Sequence, residues 1–232
     1  MIDIHSHILY GVDDGCKTIE DSISMIEAAI KSGVTDLFLT PHYSFRRKYT
    51  VTYDEVEKRF NSLKELVLEK GLKINLYLGS EIDETRDMCV FTKNKMCHTM
   101  NYSKYLLLDF GTRKADVDDI CYEMIVGGYK PIIAHPERYV YIEGTNMVKK
   151  WKKTGALIQI NASSIFSGGN VKKQALRLLK ANLVDIVSSD THRNSKTIDL
   201  LDKAYSYISK AFGKDRAESL FVTNPMRIIE SK

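Results

Sequence analysis

The sequence predicts an α/β fold in which parallel strands alternate with helices, and three observations support this prediction. Seven short runs are nearly continuous in apolar residues, as strands buried on both faces should be. Segments with apolar residues at helical spacing separate these runs. Polar side chains that can bind metal ions follow the runs, and β/α barrels assemble their active sites at the carboxyl ends of their strands.

The elements follow one another in a regular order along the chain. The predicted strands are residues 2–5, 36–40, 74–79, 105–109, 131–135, 156–160 and 184–188. The first helical pattern lies between Thr18, a predicted N-cap, and Gly33, and the second lies between Thr52 and Gly71. Further helical patterns cover residues 120–124, 171–179 and 200–208.

Composition and charge exclude several classes of protein. The 232 residues are 44% hydrophobic and 28% charged, which excludes a disordered chain and a coiled coil. No apolar run is long enough to cross a bilayer and no secretion signal is visible, so we expect a cytoplasmic protein without direct membrane insertion. A net charge of +4 is too small to indicate nucleic-acid binding, and the basic runs 46–48 and 149–153 are interpreted as solvated faces. Without a linker-like segment, residues 1–232 are predicted to form a single domain.

The four cysteines do not indicate thiol chemistry. They show no CxxC spacing and are interpreted as free thiols of a reducing compartment. A cysteine-dependent phosphatase needs an arginine six positions after its cysteine. The residues found at that distance are Ser22, Lys95, Ser103 and Gly127.

Two short histidine motifs predict a metal centre. His5 and His7 are separated by one residue on a strand, so both imidazoles point to the same face and can bind one divalent cation. Asp190 and His192 form a similar pair after the last strand, and five of the six histidines follow strands. His98 does not, and is interpreted as a surface or loop residue.

Carboxylates complete the predicted ligand set and indicate more than one ion. A carboxylate can bridge two cations, and three divalent ions would leave a positive field that attracts phosphate. Nitrogen and oxygen ligands without thiolates suit manganese, iron or zinc. The acids are Asp14, Glu81, Asp109 and Asp190, with Asp13 as an alternative to Asp14. The imidazoles are His5, His7, His42, His135 and His192.

Arg138 is the predicted phosphate-binding residue. It follows His135 by three residues at the same end of the sheet, where a guanidinium could bind phosphate through two hydrogen bonds. The alternative is an ordinary loop arginine paired with Glu137.

The ordered motifs resemble those of the PHP (polymerase and histidinol phosphatase) superfamily. They are HSH, DDG, TPH, GSEI, AHPER, NASS and SDTH, and they run from Ile2 to His192. Within that superfamily the sequence is most similar to the capsule-biosynthesis CpsB/CapC-type manganese-dependent tyrosine-protein phosphatases. The resemblance implies a distorted seven-stranded β/α (TIM-like) barrel with three Mn²⁺ ions. It also implies hydrolysis of phosphotyrosine on a bacterial tyrosine autokinase that regulates capsular polysaccharide synthesis.

The resemblance also implies roles for individual residues. Arg138 matches a phosphate-contacting arginine of the family. The matching ligands are His5, His7, Asp14, His42, Glu81, His135, Asp190 and His192.

The sequence departs from the family pattern at two points. Asp109 stands where the family usually has a glutamate, so this ligand is one methylene shorter. The family also tends to carry a second arginine several residues after the DxH motif, and here Lys196 lies at about that place. We therefore expect Lys196 to be a weaker substrate-binding residue, because an ammonium is a point charge without the planar fork of arginine.

Two other functions remain possible from the sequence. One is hydrolysis of a small phosphomonoester such as histidinol phosphate, which uses the same metals but needs a closing lid. Residues 43–49 could form a wall for either substrate, and their aromatic and basic side chains suit phosphotyrosine. The other is a metal-poor binding module without catalysis, for which so many acids and histidines would be unnecessary.

Overall fold

All strands in the described part of the chain pair in parallel, and they form two sheets. The computed structural model describes residues 1–83, 88–111 and 116–231, except for the side chains of residues 88 and 89. The strands are β1 (Ile2–Asp3), β2 (Asp36–Leu39), β3 (His42–Tyr43), β4 (Asn75–Leu78), β5 (Glu81–Asp83), β6 (Tyr105–Asp109), β7 (Lys130–Ile133), β8 (Leu157–Asn161) and β9 (Ile186–Ser188). The first sheet has the order β1-β2-β4 and the second β3-β5-β6-β7-β8-β9.

Helices follow most of the strands, as the alternating pattern predicts. They are α1 (Ile19–Lys31), α2 (Tyr53–Glu69), α3 (Met88–Lys93), α4 (Val117–Val126), α5 (Asn146–Thr154), α6 (Ala162–Phe166), α7 (Gly169–Lys180), α8 (Leu200–Phe212), α9 (Lys214–Glu218) and α10 (Asn224–Glu230). The predicted start of α1 is confirmed, because the Thr18 hydroxyl accepts a hydrogen bond from the Asp21 amide and the Asp21 carboxylate accepts one from the Thr18 amide.

Each of the seven predicted runs overlaps a strand, but the strand count of seven is not confirmed. The additional strands, β3 and β5, begin just after β2 and β4 and belong to the other sheet. Pro41 lies at the first of these breaks, where its missing N–H cannot continue the β2 ladder. The described residues therefore form two open sheets of three and six strands.

Backbone contacts beyond β1 and β9 connect the two sheets at the end where the site lies. Ser6 and Thr191 form an isolated parallel bridge. The His7 amide donates to the Thr191 carbonyl at 2.7 Å, and the Asp190 amide donates to the His5 carbonyl at 2.9 Å. These contacts place the two histidine motifs of the sequence side by side.

A small buried apolar cluster is shared by the two sheets. Most of its members come from strands or strand ends, among them Ile4, Phe38, Leu107 and Ile132, which are fully buried. Ile228 of α10 joins the same cluster. A larger cluster packs the remaining helices against the outer faces of the strands. The polar groups thus stand on a rigid apolar base, which limits the movement of the side chains above it.

Candidate metal centre

Nine side chains at the carboxyl ends of the strands converge on one region of the structure. They include every ligand predicted from the sequence: His5, His7, Asp14, His42, Glu81, Asp109, His135, Asp190 and His192. Their donor atoms form four overlapping groups, and within each group the atoms lie within 4.8 Å of one another. Seven of the nine residues are buried, whereas Asp14 and His192 are partly exposed.

The central group combines two imidazoles with two carboxylates. The Nε2 atoms of His5 and His7 lie 3.2 Å apart. His5 Nε2 is 3.4 Å from Glu81 Oε1 and 3.5 Å from Asp190 Oδ1, and His7 Nε2 is also 3.5 Å from Asp190 Oδ1. Two ligand atoms that each lie about 2.1 Å from one tetrahedral ion are about 3.4 Å apart. The spacing of these four side chains therefore fits a shared divalent cation.

Two further groups flank the central one. In the first, Asp14 Oδ1 lies 3.6 Å from both His42 Nε2 and His192 Nε2. Asp14 Oδ1 is also buried without a hydrogen-bond partner among the described residues, as expected of an oxygen that ligates a metal. In the second, His135 Nε2 lies 2.8 Å from Glu81 Oε1, and Asp109 completes the group. Glu81 belongs to both the central group and this second flanking group, where its two oxygens could bridge two ions.

Hydrogen bonds on the far side of the imidazoles orient them toward the cluster. His7 Nδ1 donates to Asp13 Oδ2 at 2.7 Å, and His5 Nδ1 donates to Gln159 Oε1 at 3.0 Å. His192 Nδ1 donates to the Asp190 carbonyl at 3.1 Å. A proton on Nδ1 leaves the Nε2 lone pair free for a metal, and such partners are typical of metal-binding histidines.

The protonation states of two carboxylates and one imidazole in the cluster suit cation binding. Burial alone would raise the pKa of Glu81 and of Asp190, but neighbouring imidazoles, His5 above all, hold both values below the ordinary range. Burial, reinforced by His7, lowers the pKa of His192 to about 4. At neutral pH these carboxylates are therefore ionised and His192 is neutral, which are the forms that bind metals. Burial alone would lower the pKa of His7 and of His135, but neighbouring carboxylates raise both values, to about 9 for His135, so metal binding at these two imidazoles would release a proton. The donor set fits divalent transition ions.

The two predicted substrate-binding residues differ in position. Arg138 Nη1 donates to Asp190 Oδ2 at 2.8 Å, and the Arg138 side chain is 52% exposed, so the guanidinium links the cluster to solvent. Arg138 does not pair with Glu137, whose carboxylate accepts hydrogen bonds from Asn161 and Ser164. Lys196 is exposed, and its ammonium forms no hydrogen bond or ion pair with any described residue.

One interpretation of the sequence is correct in part and another is wrong. His98 lies in a loop and outside the ligand groups, as expected, but it is buried rather than on the surface, and its ring stacks on Tyr53 with ring centroids 3.6 Å apart. The basic run 46–48 is not simply a solvated face, because Arg47 turns inward. Its Nη1 donates to His42 Nε2 at 3.1 Å and its Nη2 to Asp109 Oδ2 at 2.9 Å.

Three residues of the site were not assigned these roles from the sequence. Asp13 and Gln159 orient His7 and His5, and Asp83 lies 3.4 Å from Nε of Arg47. Asp83 had a usable signal, since it lies two residues after Glu81 on a strand and period two places both on one face. Gln159 lies in the middle of an apolar strand and is fully buried, which is also unusual for an amide side chain.

Comparison with known proteins places the chain in a family. The model of the family described as "Capsular polysaccharide synthesis, CpsB/CapC" matches residues 1–230. The chain belongs to this family. It is 34% identical to the tyrosine-protein phosphatase CpsB of Streptococcus agalactiae, over 100% of this chain and 99% of that protein. It is 31% identical to the tyrosine-protein phosphatase YwqE of Bacillus subtilis, over 93% of this chain and 86% of that protein.

Solved structures support the same relationship. Crystal structures of YwqE from B. subtilis and CpsB from Streptococcus pneumoniae are described as "unique metal-dependent tyrosine phosphatases". One chain from that work superposes with a TM-score of 0.90 at 29% identity, covering 100% of this chain and 95% of its own. A histidinol phosphate phosphatase of Lactococcus lactis has a TM-score of 0.58 at 13% identity and covers 88% of this chain and 93% of its own. That second likeness concerns the fold alone.

The structure also bears on membrane association. Among the described residues, no helix is both long enough and apolar enough to span a bilayer.

Proposed function

We propose that this member of the CpsB/CapC family is a metal-dependent protein-tyrosine phosphatase. The observation that carries the proposal is the convergence of five imidazoles and four carboxylates beside the exposed guanidinium of Arg138. Such a cluster can hold several cations, and the arginine adds a donor for phosphoryl oxygens. Family membership supports the same activity, because relatives covering nearly all of the chain are named tyrosine-protein phosphatases.

The proposed centre holds three divalent ions, with manganese as the first candidate and iron or zinc as alternatives. The nine proposed ligands form four overlapping groups, and Glu81 belongs to two of them, where its carboxylate could be shared between ions. Bound cations would supply a hydroxide nucleophile at neutral pH and neutralise the phosphoryl oxygens. A distorted barrel of seven strands is part of this proposal, supported by the Ser6–Thr191 bridge between the sheets.

The residues of the chain orient the reactants. Asp13 and Gln159 hold His7 and His5 in the tautomer that leaves Nε2 free. Arg138 is directed by Asp190 toward the open side of the cluster, where it would bind two phosphoryl oxygens and stabilise their charge in the transition state. No thiol is needed for this reaction.

The proposed substrate is phosphotyrosine on a protein, specifically a bacterial tyrosine autokinase that controls capsular polysaccharide synthesis. The partly exposed edge formed by Asp14, His192 and Arg138 favours a substrate that approaches from outside. A cytoplasmic location and a single domain over residues 1–232 belong to this proposal. The competing substrate is histidinol phosphate, for which the only structural support is the general fold.

A substrate comparison tests the proposal. Purified protein with added Mn²⁺ should hydrolyse a phosphotyrosyl peptide with a much higher kcat/KM than histidinol phosphate. A preference for histidinol phosphate would contradict the assigned substrate, and no hydrolysis of either would contradict the enzyme.

A matched histidine pair separates chemistry from folding. His5→Ala should lower activity by orders of magnitude while a cooperative thermal melt is kept, because it removes a proposed ligand. His98→Ala removes a buried histidine outside the cluster, so it should change stability far more than activity per folded molecule. Full activity of folded His5→Ala would contradict the site.

A further inference from the structure

Three arginines surround a small cavity beside the cluster. The cavity has a volume of about 120 Å³ and is lined by Arg46, Arg47 and Arg138 together with Asp109 and His135, two of the proposed metal ligands. Asp83, Asp109 and Asp190 pair with these guanidinium groups, and cations bound by Asp109 and Asp190 would compete for the same carboxylates. The cavity thus combines a size suited to a small group with donors suited to an anion.

Arg47 is held in place by the buried pair Ser44 and Asp83. Its Nε lies 3.4 Å from Asp83 Oδ2, and its backbone amide donates to Ser44 Oγ at 3.0 Å. The Ser44 hydroxyl donates in turn to Asp83, and both of these residues are buried. Because Asp83 holds the Nε side of the guanidinium, the two terminal nitrogens of Arg47 point toward the cluster.

The terminal nitrogens of Arg47 contact atoms that the proposed cations also need. They donate to His42 Nε2 and to Asp109 Oδ2. The single lone pair of an imidazole nitrogen serves one partner at a time, so a cation on His42 would release Nη1. The released donors would remain tethered by Asp83 and would face the same cavity as Arg138. Phosphoryl oxygens bound beside the cations would then be their natural acceptors.

Arg47 is more buried than its neighbours Arg46 and Lys48 and reaches further into the cluster, as binding of a phosphoryl group there requires. The side chain of Arg47 is 32% exposed and reaches two proposed ligands. The side chain of Arg46 is 55% exposed, and the only described acceptor for its guanidinium is Asp83. Lys48 is exposed and does not line the cavity.

We propose that Arg47 is a second substrate-binding residue, which binds the phosphoryl group together with Arg138. This inference rests on the proposed function and names a contact within the same site. It also accounts for the missing family arginine after His192, because the loop after His42 supplies a guanidinium that Lys196 cannot replace. The two arginines would both bind the phosphoryl group, and the charge they stabilise increases in the transition state.

The test compares two variants that each remove one positive charge from the same loop. Inorganic phosphate is titrated into Mn²⁺-loaded protein in a calorimeter, and the metal content is measured on the same samples. Arg47→Gln should weaken phosphate binding by about tenfold or more, as loss of a charge-assisted donor pair predicts. Lys48→Gln should bind phosphate with an affinity within about twofold of the parent, since it removes an exposed charge whose electrostatic effect on the cavity is screened by salt. Arg47→Lys should recover part of the affinity, because it keeps the charge but not the fork.

Metal content provides the second readout. Arg47→Gln should hold at least as much metal as the parent protein, because the guanidinium that competes for His42 and Asp109 is gone. Lower metal content in Arg47→Gln would show that Arg47 supports the ligands rather than the substrate, and would overturn the inference. Equal phosphate affinity in Arg47→Gln and Lys48→Gln, or no phosphate binding by the parent, would overturn it too.

The same samples distinguish this inference from the proposed function. If the parent binds phosphate through Arg47 but does not hydrolyse a phosphotyrosyl peptide, the proposed function fails and the binding contact stands. If the parent hydrolyses the peptide and Arg47→Gln matches Lys48→Gln in kcat/KM, the contact fails and the function stands. Thermal melts identify a variant that has lost its fold. If Arg47→Gln is unfolded, the phosphate affinity of Arg47→Lys is compared with that of Lys48→Gln instead.

Discussion

His7 donates the hydrogen on Nδ1 to the Asp13 carboxylate across 2.7 Å, and this contact directs Nε2 of His7 into the proposed metal centre. Burial alone would raise the pKa of Asp13, but His7 and two backbone amides lower it to about 2. Asp13 is therefore ionised at neutral pH and raises the basicity of the imidazole. The neighbouring Asp14 faces the cluster itself, so the two adjacent acids have different roles.

This contact predicts the effect of changing Asp13. Asp13→Ala should lower metal affinity by about 10–100-fold, because His7 would lose the carboxylate that accepts its Nδ1 hydrogen and orients its ring toward the metal. Asp13→Asn should lie between the parent and Asp13→Ala, since an amide oxygen still accepts but carries no charge. Metal titration in a competing chelator measures the change, with Glu69→Ala as an exposed carboxylate control. Unchanged metal affinity in Asp13→Ala would contradict the orienting role.

The number of overlapping ligand groups predicts the metal content. Purified protein should contain more than one transition-metal ion per chain, and EDTA should abolish hydrolysis of a phosphotyrosyl peptide. Added Mn²⁺ should restore it, because the nine ligands are built into the fold. Elemental analysis before and after chelation is the measurement. Full activity in a sample free of metal would contradict the proposed chemistry.

The position of Arg138 predicts a large kinetic effect. Arg138→Ala should lower kcat/KM by about a hundredfold, on the order of 3 kcal/mol, as for loss of one preorganised transition-state donor. Lys196→Ala should cost about tenfold or less, mostly in KM, because a flexible ammonium binds ground and transition states similarly. Steady-state kinetics on a phosphotyrosyl peptide measure both. A larger loss in Lys196→Ala would place the phosphate contact in the other loop.

The buried cysteines should be chemically silent. Burial raises the pKa of Cys16 to about 11 and the pKa of Cys97 and Cys121 to about 12. A raised thiol pKa means that the reactive thiolate forms only well above neutral pH. Iodoacetamide at pH 7.5 should therefore leave these three residues unmodified in the folded protein, as mass spectrometry would show. The side chain of Cys89 lies outside the described part of the structure.

A variant without cysteines extends the same prediction. Replacing all four cysteines with serine should leave turnover within a few fold, provided that the protein folds and binds metal. Loss of turnover in a folded, metal-loaded variant would require a thiol in the mechanism.

Local rules were sufficient to select most of the candidate ligands because a strand has a simple geometry. Period two places His5 and His7 on one face, and parallel strands end at the same edge of a sheet. The structure brings together the eight candidates that these rules selected and Asp14, which follows no strand directly. Thr18 and Gly33 likewise mark the ends of α1 through local hydrogen bonding and backbone conformation.

The same rules could not identify residues whose role depends on distant contacts. Arg47 looks like part of a solvated basic run, and only its approach to His42, Asp83 and Asp109 turns it inward. Its partner Asp109 lies 62 residues away along the chain. Side-chain direction in a loop follows from the charges that the fold brings near, and these are not visible in a short stretch of sequence.

The sequence by itself determined the parallel α/β pattern, the nine candidate ligands and Arg138, because periodicity and strand ends are properties of neighbouring residues. Only the tertiary structure decided that the strands divide between two sheets, that Asp13 supports His7 while Asp14 faces the cluster, and that Arg47 rather than Lys196 lies beside Arg138. The physical reason is range. Hydrogen bonds and ion pairs act over a few ångströms in space, and they join residues such as Arg47 and Asp109 that are far apart in the chain, or, as with His7 and Asp13, residues of an irregular loop whose side chains follow no fixed period.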